Sequence, residues 1–143
     1  MKVSSILDGK KVATVKPDAT IKELTQRLSE LGIGALVVSS DGKNVDGIVS
    51  ERDIVRAIPL NFETFQNLHV RDIMTVNVLT CTKDATFSEL MVLMTQKRIR
   101  HVPIVDEKGQ LVSIVSIGDV VKNHISEIDG ERTALIDYVK SAG

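Results

Sequence analysis

DATIKEL at Asp18–Leu24 and DATFSEL at Asp84–Leu90 are one phrase written twice, 66 residues apart. At the same offset Ile48, Val49 and Ser50 match Ile114, Val115 and Ser116, Asp53 matches Asp119, and Val55 matches Val121. Thr14–Arg56 laid without gaps on Thr80–Lys122 gives 12 identities in 43 positions, clustered in these blocks, so the chain is two copies of one unit. Upstream the register slips by one residue, and VSSIL at Val3–Leu7 pairs with VRDIM at Val70–Met74. Pro59–Leu68 reads as the connector. The expected division is a first unit over residues 3–66, with the connector from about 59, a second unit over 70–125, and a tail over 126–143.

Each copy reads strand, helix, strand, strand, helix. Thr20 with Glu23 and Thr86 with Glu89 have capping-box spacing, so helices start there. Ile21, Leu24, Leu28 and Leu31 then follow at helical period, and Phe87, Leu90 and Met94 begin the equivalent stripe. Gly32 and Gly34 end the first helix. Ala35–Val38 and Val102–Val105 are apolar without alternation, which marks buried strands. Asp41-Gly42 and Lys108-Gly109 supply turns before Val45–Val49 and Leu111–Val115 return as partner strands. One unit is too small to cover both faces of its sheet. The expected fold is therefore α/β, two β-α-β-β-α repeats packed sheet to sheet about a pseudo-twofold axis, with two equivalent clefts between them.

Composition narrows the function classes. The chain has 143 residues, 43% apolar and 26% charged, which suits an ordinary globular protein. With 3% aromatic residues and no Trp, its core must be aliphatic. A net charge of −1, a pI near 6.3 and the lack of any basic stretch interleaved with aromatics argue against nucleic-acid binding. Cys81 is the single cysteine, and no Cys/His group has zinc spacing, which fits a reducing compartment. The first residues, MKVSSILDGKK, lack a secretory apolar stretch, and no run of 18 apolar residues occurs. The expectation is a cytoplasmic protein with no membrane partner.

Two motifs could carry chemistry. Ser50-Glu-Arg-Asp53 and Ser116-Ile-Gly-Asp119 repeat S-x-x-D straight after a buried strand. As structure, this is a second capping box. As function, a helix start facing a cleft attracts phosphate through its free amides, while an ionised Asp accepts both hydroxyls of a ribose. The two readings are compatible, and a duplicated fold repeats its caps whichever holds. Lys97-Arg98-Ile-Arg100-His101 is the densest basic cluster, and its counterpart, Leu31-Gly-Ile-Gly34-Ala35, has no charge. It is either a solvated helix end with cations at its C-terminus or a phosphate-neutralising wall present in one cleft only. The three histidines, His69, His101 and His124, lack metal spacing. Met91 and Met94 read as core, and Cys81 as a small residue at a strand edge. No Gly-rich phosphate loop, G-x-S-x-G or HExxH occurs, and nothing demands an enzyme.

These residues resemble the tandem CBS domain pair, or Bateman module, from Val3 to about Ile125. The resemblance is carried by the two D-A-T helix starts, by RIRHVPIVD at Arg98–Asp106, and by GIVSERD and VSIVSIGD at the two caps. It implies a pseudo-twofold pair, commonly a homodimer of pairs, that binds AMP, ADP, ATP, NAD or S-adenosylmethionine without turning it over. Carried over residue by residue, it places Ser116 and Asp119 in one cleft with Lys16, Ile33, Gly34 and Ala35. The opposite cleft takes Ser50 and Asp53 with Val78, Leu79, Ile99, Arg100 and His101, and is the better phosphate site. The implied ligand is AMP/ADP/ATP or NAD(H), with no catalytic cofactor, no metal and an effector protein left unknown. The tail, with Ile128, Leu135, Ile136 and Val139 among charged neighbours, looks like an amphipathic helix that packs in a dimer or docks a partner. A ligand-independent dimerisation or docking module is the competing reading, and a nucleotide hydrolase or transferase a third.

Overall fold

The computed structural model describes residues 1–142. In the first copy, β1 (Thr14–Val15) is followed by α1 (Ile21–Leu31), β2 (Ala35–Val38), β3 (Gly47–Ser50) and α2 (Glu51–Leu60). After a 3₁₀ turn at Phe65–Asn67 come the short α3 (Val70–Ile73), α4 (Phe87–Lys97), β4 (His101–Val105), β5 (Leu111–Ser116) and α5 (Ile117–Ala142). β2 lies between β1, parallel to it, and β3, antiparallel to it. In the second copy β4 and β5 pair antiparallel. The counterpart of β1 there is a single parallel bridge from Cys81 to Ile104, at the position Val15 and Val38 occupy in the first copy.

The helix starts follow from their caps. Thr86 Oγ1 accepts from the Glu89 amide while the Glu89 carboxylate accepts from the Thr86 amide, a complete capping box. Thr20 takes the Glu23 amide, but no reciprocal bond to the Glu23 carboxylate forms, so the expected box is half made. α2 runs through Pro59 to Leu60. The connector therefore begins after Leu60, because a proline in the last turn costs only a terminal helical bond.

The cores are separate and, Phe87 apart, without aromatic residues. One gathers Val15, Leu24, Leu28, Leu36, Val38 and Val49 beneath α1; the other gathers Phe87, Leu90, Met94, Val102, Ile104 and Val115 beneath α4, with Val120 of α5. The openings of the two copies are exchanged. Val3, fully buried, lies in the second core, and Val70, fully buried, lies in the first. Backbone bonds fix the exchange symmetrically: Val3 N donates to Ala85 O at 2.8 Å, and Val70 N to Ala19 O at 2.9 Å. Thr75 then extends the first sheet by bonding Ile48 in both directions. The two strand turns also meet, Asn44 bridging its own counterpart, Gln110. This residue-for-residue correspondence is the pseudo-twofold.

Candidate functional site

β3 and β5 each run directly into a helix, so Ser50 and Ser116 are both last strand residues and helix caps. Ser50 Oγ accepts from the Asp53 amide at 3.3 Å, while Asp53 Oδ2 accepts from the Ser50 amide at 2.8 Å and its hydroxyl at 3.0 Å. Ser116 and Asp119 repeat this at 3.2, 3.1 and 2.9 Å. Both carboxylates thus tie off their own helix through Oδ2. Oδ1 takes no part in either cap and is left for another donor.

The surroundings of the two caps differ. Asp53 is half-buried and lines a cavity of about 200 Å³ between the copies, with Ser50, Val78, Leu79, Ile99, Arg100 and His101, every residue expected beside it. Gly34 and Ala35, expected with Ser116 and Asp119, line this same cavity instead. Gly34, just ahead of β2, meets both α2 and β4: Glu51 N donates to Gly34 O at 2.9 Å, and a Cβ on Gly34 would lie 3.2 Å from Glu51 Oε1 and 3.7 Å from His101 Cε1. Asp119 is exposed, and neither it nor Ser116 borders this cavity or a second one. Ile33 is exposed and borders neither. Lys16 lies in the second cavity, an open groove beside β1 and the β2–β3 turn, where Asp41 accepts from the Lys43 and Asn44 amides. The amide of Asn44, then that of Lys43, holds the Asp41 carboxyl well below the usual carboxylate range, so this side chain ties off its own loop.

The residues around the two caps therefore differ, and the repeat register shows where. The walls of the Asp53 cleft include Arg52, Arg56, Arg98 and Arg100. Their counterparts around Asp119 are Gly118, Lys122, Gly32 and Gly34. Three of the four arginines are glycine there, so the Asp119 side carries one cation at these positions where the Asp53 side carries four.

Sequence reading missed Ile48, Glu51, Arg52, Arg56, Thr75, Asn77 and Arg98 as lining residues. Arg52 and Arg56 were findable: a helix that starts at Ser50 puts Arg52, Asp53 and Arg56 on its first turns, with Arg52 and Arg56 four apart on one face. Thr75 and Asn77 follow from the exchanged opening, which no local pattern reveals. Electrostatically the cleft carries four arginines against Glu51 and Asp53. His101 is half-buried; burial is the largest influence and holds its imidazole below the ordinary 6.5, with Arg100 adding to this and Glu51 and Asp119 opposing it. Burial and then the nearby Glu89 raise the Cys81 thiol, the reverse of an activated nucleophile. Among the described residues no group of three His, Cys, Asp or Glu could hold a metal, and no helix is long and apolar enough to cross a membrane.

Comparison with known proteins places this geometry. The CBS domain model matches residues 3–60 and again 70–125. A mitochondrial CBS domain-containing protein of Arabidopsis thaliana is 35% identical over 86% of this chain, which spans 61% of that protein's length. A CBS domain-containing protein of Bacillus subtilis is 31% identical over 80% of each chain. Among solved structures, a CBS-domain containing protein from Agrobacterium tumefaciens superposes with a TM-score of 0.81 at 41% identity, covering 87% of this chain and 99% of that one. A CBS domain protein from Pyrobaculum aerophilum complexed with AMP gives 0.72 at 26% identity, covering 83% and 89%. A CBS domain pair in complex with 5′-methylthioadenosine and S-adenosyl-L-methionine gives 0.78 at 25%, covering 89% and 98%. With two family matches spanning most of its length and the same architecture in its structural neighbours, this chain belongs to the CBS domain family as a tandem pair.

Proposed function

We propose that this pair is a non-catalytic regulatory module that takes one adenine nucleotide in the cleft of Ser50 and Asp53 and signals cellular energy or redox state. The observation that carries this is the asymmetry of the two caps: a ribose-competent carboxylate and a phosphate-attracting helix start recur in both copies, but only one is walled. In that cleft Asp53 Oδ1 accepts from a ribose hydroxyl. Val78, Leu79 and Ile99 supply apolar sides for a purine, and the four arginines neutralise phosphate. Neighbours of the same fold in complex with AMP, or with S-adenosylmethionine and its thioadenosine relative, support an adenosine-type ligand. The excess of arginine favours ligands with two or more phosphates, ADP, ATP or NAD(H), over AMP.

Signalling follows from the lining. Residues from both copies form the cleft, so a ligand bridges them and biases whichever dimer arrangement holds the cleft in its closed form; it shifts that equilibrium only through its differential affinity for the two states. The effector remains outside this chain.

Calorimetry and thermal melting against AMP, ADP, ATP, NAD and NADH test the proposal. Binding with a stoichiometry of one per chain is expected, with stabilisation of about 2.7 kcal/mol at one hundred times the dissociation constant. No heat and no melting shift with any of the five at millimolar concentration would overturn it.

A further inference from the structure

The two sheets end differently. Beyond β3 lies Thr75: Ile48 N donates to Thr75 O at 3.0 Å, and Thr75 N to Ile48 O at 2.9 Å. Beyond β5 no equivalent residue pairs. Ile114, the counterpart of Ile48, sits opposite Pro103 of β4. Pro103 has no amide hydrogen and gives its carbonyl to Cys81 N at 3.1 Å. Ile114 N and O therefore point away from β4, and neither finds a partner among the described residues. The segment that corresponds to Thr75 is nevertheless anchored at both ends. Ile6 and Leu7 pack against the second core as Ile73 and Met74 pack against the first, and Val15 pairs with β2 where Cys81 bridges to Ile104. Between these anchors the copies differ by one residue, since 8–13 separate Leu7 from Thr14 while only 75–79 separate Met74 from Thr80. The excess is taken up in a turn at Asp8-Gly9-Lys10, where Gly9 has φ of 71° and Asp8 Oδ1 accepts from the Lys10 amide at 3.0 Å. A side-chain acceptor of this kind competes with a sheet ladder for the same backbone. Asp8 through Lys11 are all exposed.

We propose that Asp8–Lys11 is a strap that closes onto β5, Asp8 pairing with Ile114 as Thr75 pairs with Ile48, and that the one-residue excess at Gly9 holds it open at rest. Closing exchanges one side-chain hydrogen bond for two backbone bonds while it orders an exposed segment, so the two states lie near balance. Closing also carries Lys11 to the place that Asn77 takes beside the Asp53 cavity, which sets a cation next to the cap of Ser116 and Asp119. The strap thus decides whether that cap has a charged neighbour. It acts on the side opposite the Asp53 cavity, so it stands or falls separately from the nucleotide-binding proposal.

Residue-resolved hydrogen exchange on the nucleotide-free full chain, with crosslinking, tests the strap. The Ile48 amide should be protected, and the Ile114 amide should exchange at least about a hundredfold faster. Deleting Gly9 removes the excess and should slow Ile114 exchange by about tenfold, the worth of two backbone hydrogen bonds, while Ile48 stays as it was. Asp8→Thr keeps the chain length, gives up the carboxylate and places the residue of the other copy; it should slow Ile114 by about threefold, and it reads the same exchange should the deletion unfold. In a Cys81→Ser background, Asp8→Cys plus Ile114→Cys should oxidise within one chain, because a hydrogen-bonded antiparallel pair sets its Cα atoms about 5.5 Å apart, inside disulfide range. An Ile114 amide as slow as Ile48 in the unaltered chain, exchange unmoved by both variants, or no disulfide within the chain would each overturn the proposal.

Discussion

Gly32 and Arg98 hold the same place in the two repeats, the residue that ends the first helix of each, and both are left-handed, with φ of 63° and 55°. Glycine takes this conformation freely, whereas any side chain there is strained by about 1–2 kcal/mol. Among the described residues Arg98 is the one non-glycine with positive φ, and it lines the cleft of Asp53.

Arg98→Gly should therefore raise the stability of the unliganded protein by about 1 kcal/mol. It should also weaken ATP binding by about ten- to a hundredfold, the worth of a charged hydrogen bond. Denaturant melts and calorimetry on the same sample read both effects. Unchanged affinity would show that Arg98 does no more than end a helix.

The two acidic caps separate structure from binding. Asp53→Ala and Asp119→Ala should each cost about 1 kcal/mol of stability, because they remove equivalent capping interactions. Only Asp53→Ala should abolish nucleotide binding. Equal losses of affinity from the two substitutions would mean that the open side binds as well as the walled one.

His101 links the cleft to pH. Its imidazole is depressed below 6.5 in the folded chain, so the folded state binds fewer protons than the unfolded one just below that pH. Its contribution to stability is therefore full above about 6.5 and is lost as pH falls toward the folded value. Phosphate beside it favours the charged form, so ADP or ATP should bind with proton uptake and more tightly as pH drops through the same window. His101→Gln should flatten both profiles, followed by melting and by calorimetry in buffers of different ionisation heat.

Removing the first seven residues should damage the distant half. Val3 is buried against Phe87 and Leu90 of the second core, and its loss as Val3→Ala alone should cost about 2 kcal/mol. Hydrogen exchange after the deletion should show lost protection in β4 and β5 while β2 and β3 stay protected. Protection lost first in β2 and β3 would contradict the exchange.

Much of this was legible in the sequence because the repeat states it twice. Helix starts at Thr20, Thr86, Ser50 and Ser116 follow from local hydrogen bonding, and β2 and β4 follow from unbroken apolar runs. The walled cleft was legible through its own residues, from Ser50 to His101. Arg52 and Arg56 escaped although local spacing holds them; the rest of what escaped is largely non-local. Gly34 and Ala35 line the Asp53 cavity through contacts of Gly34 with Glu51 and His101, a tertiary juxtaposition that periodicity does not encode. Thr75 and Asn77 escaped because segment exchange leaves each copy's pattern intact while moving it onto the other body. Symmetry states the two caps alike, while the arginines that set the two sides apart stand outside the repeated blocks.

The exchanged openings also dictate an order of manufacture. As the chain leaves the ribosome, the first half gains its missing anchor only when Val70 and Thr75 have emerged. Its own leading residues must wait, unattached, until Phe87 through Val120 exist to receive them. The segment around Val3 is thus among the last to be locked, and a nascent product stopped midway keeps that segment loose.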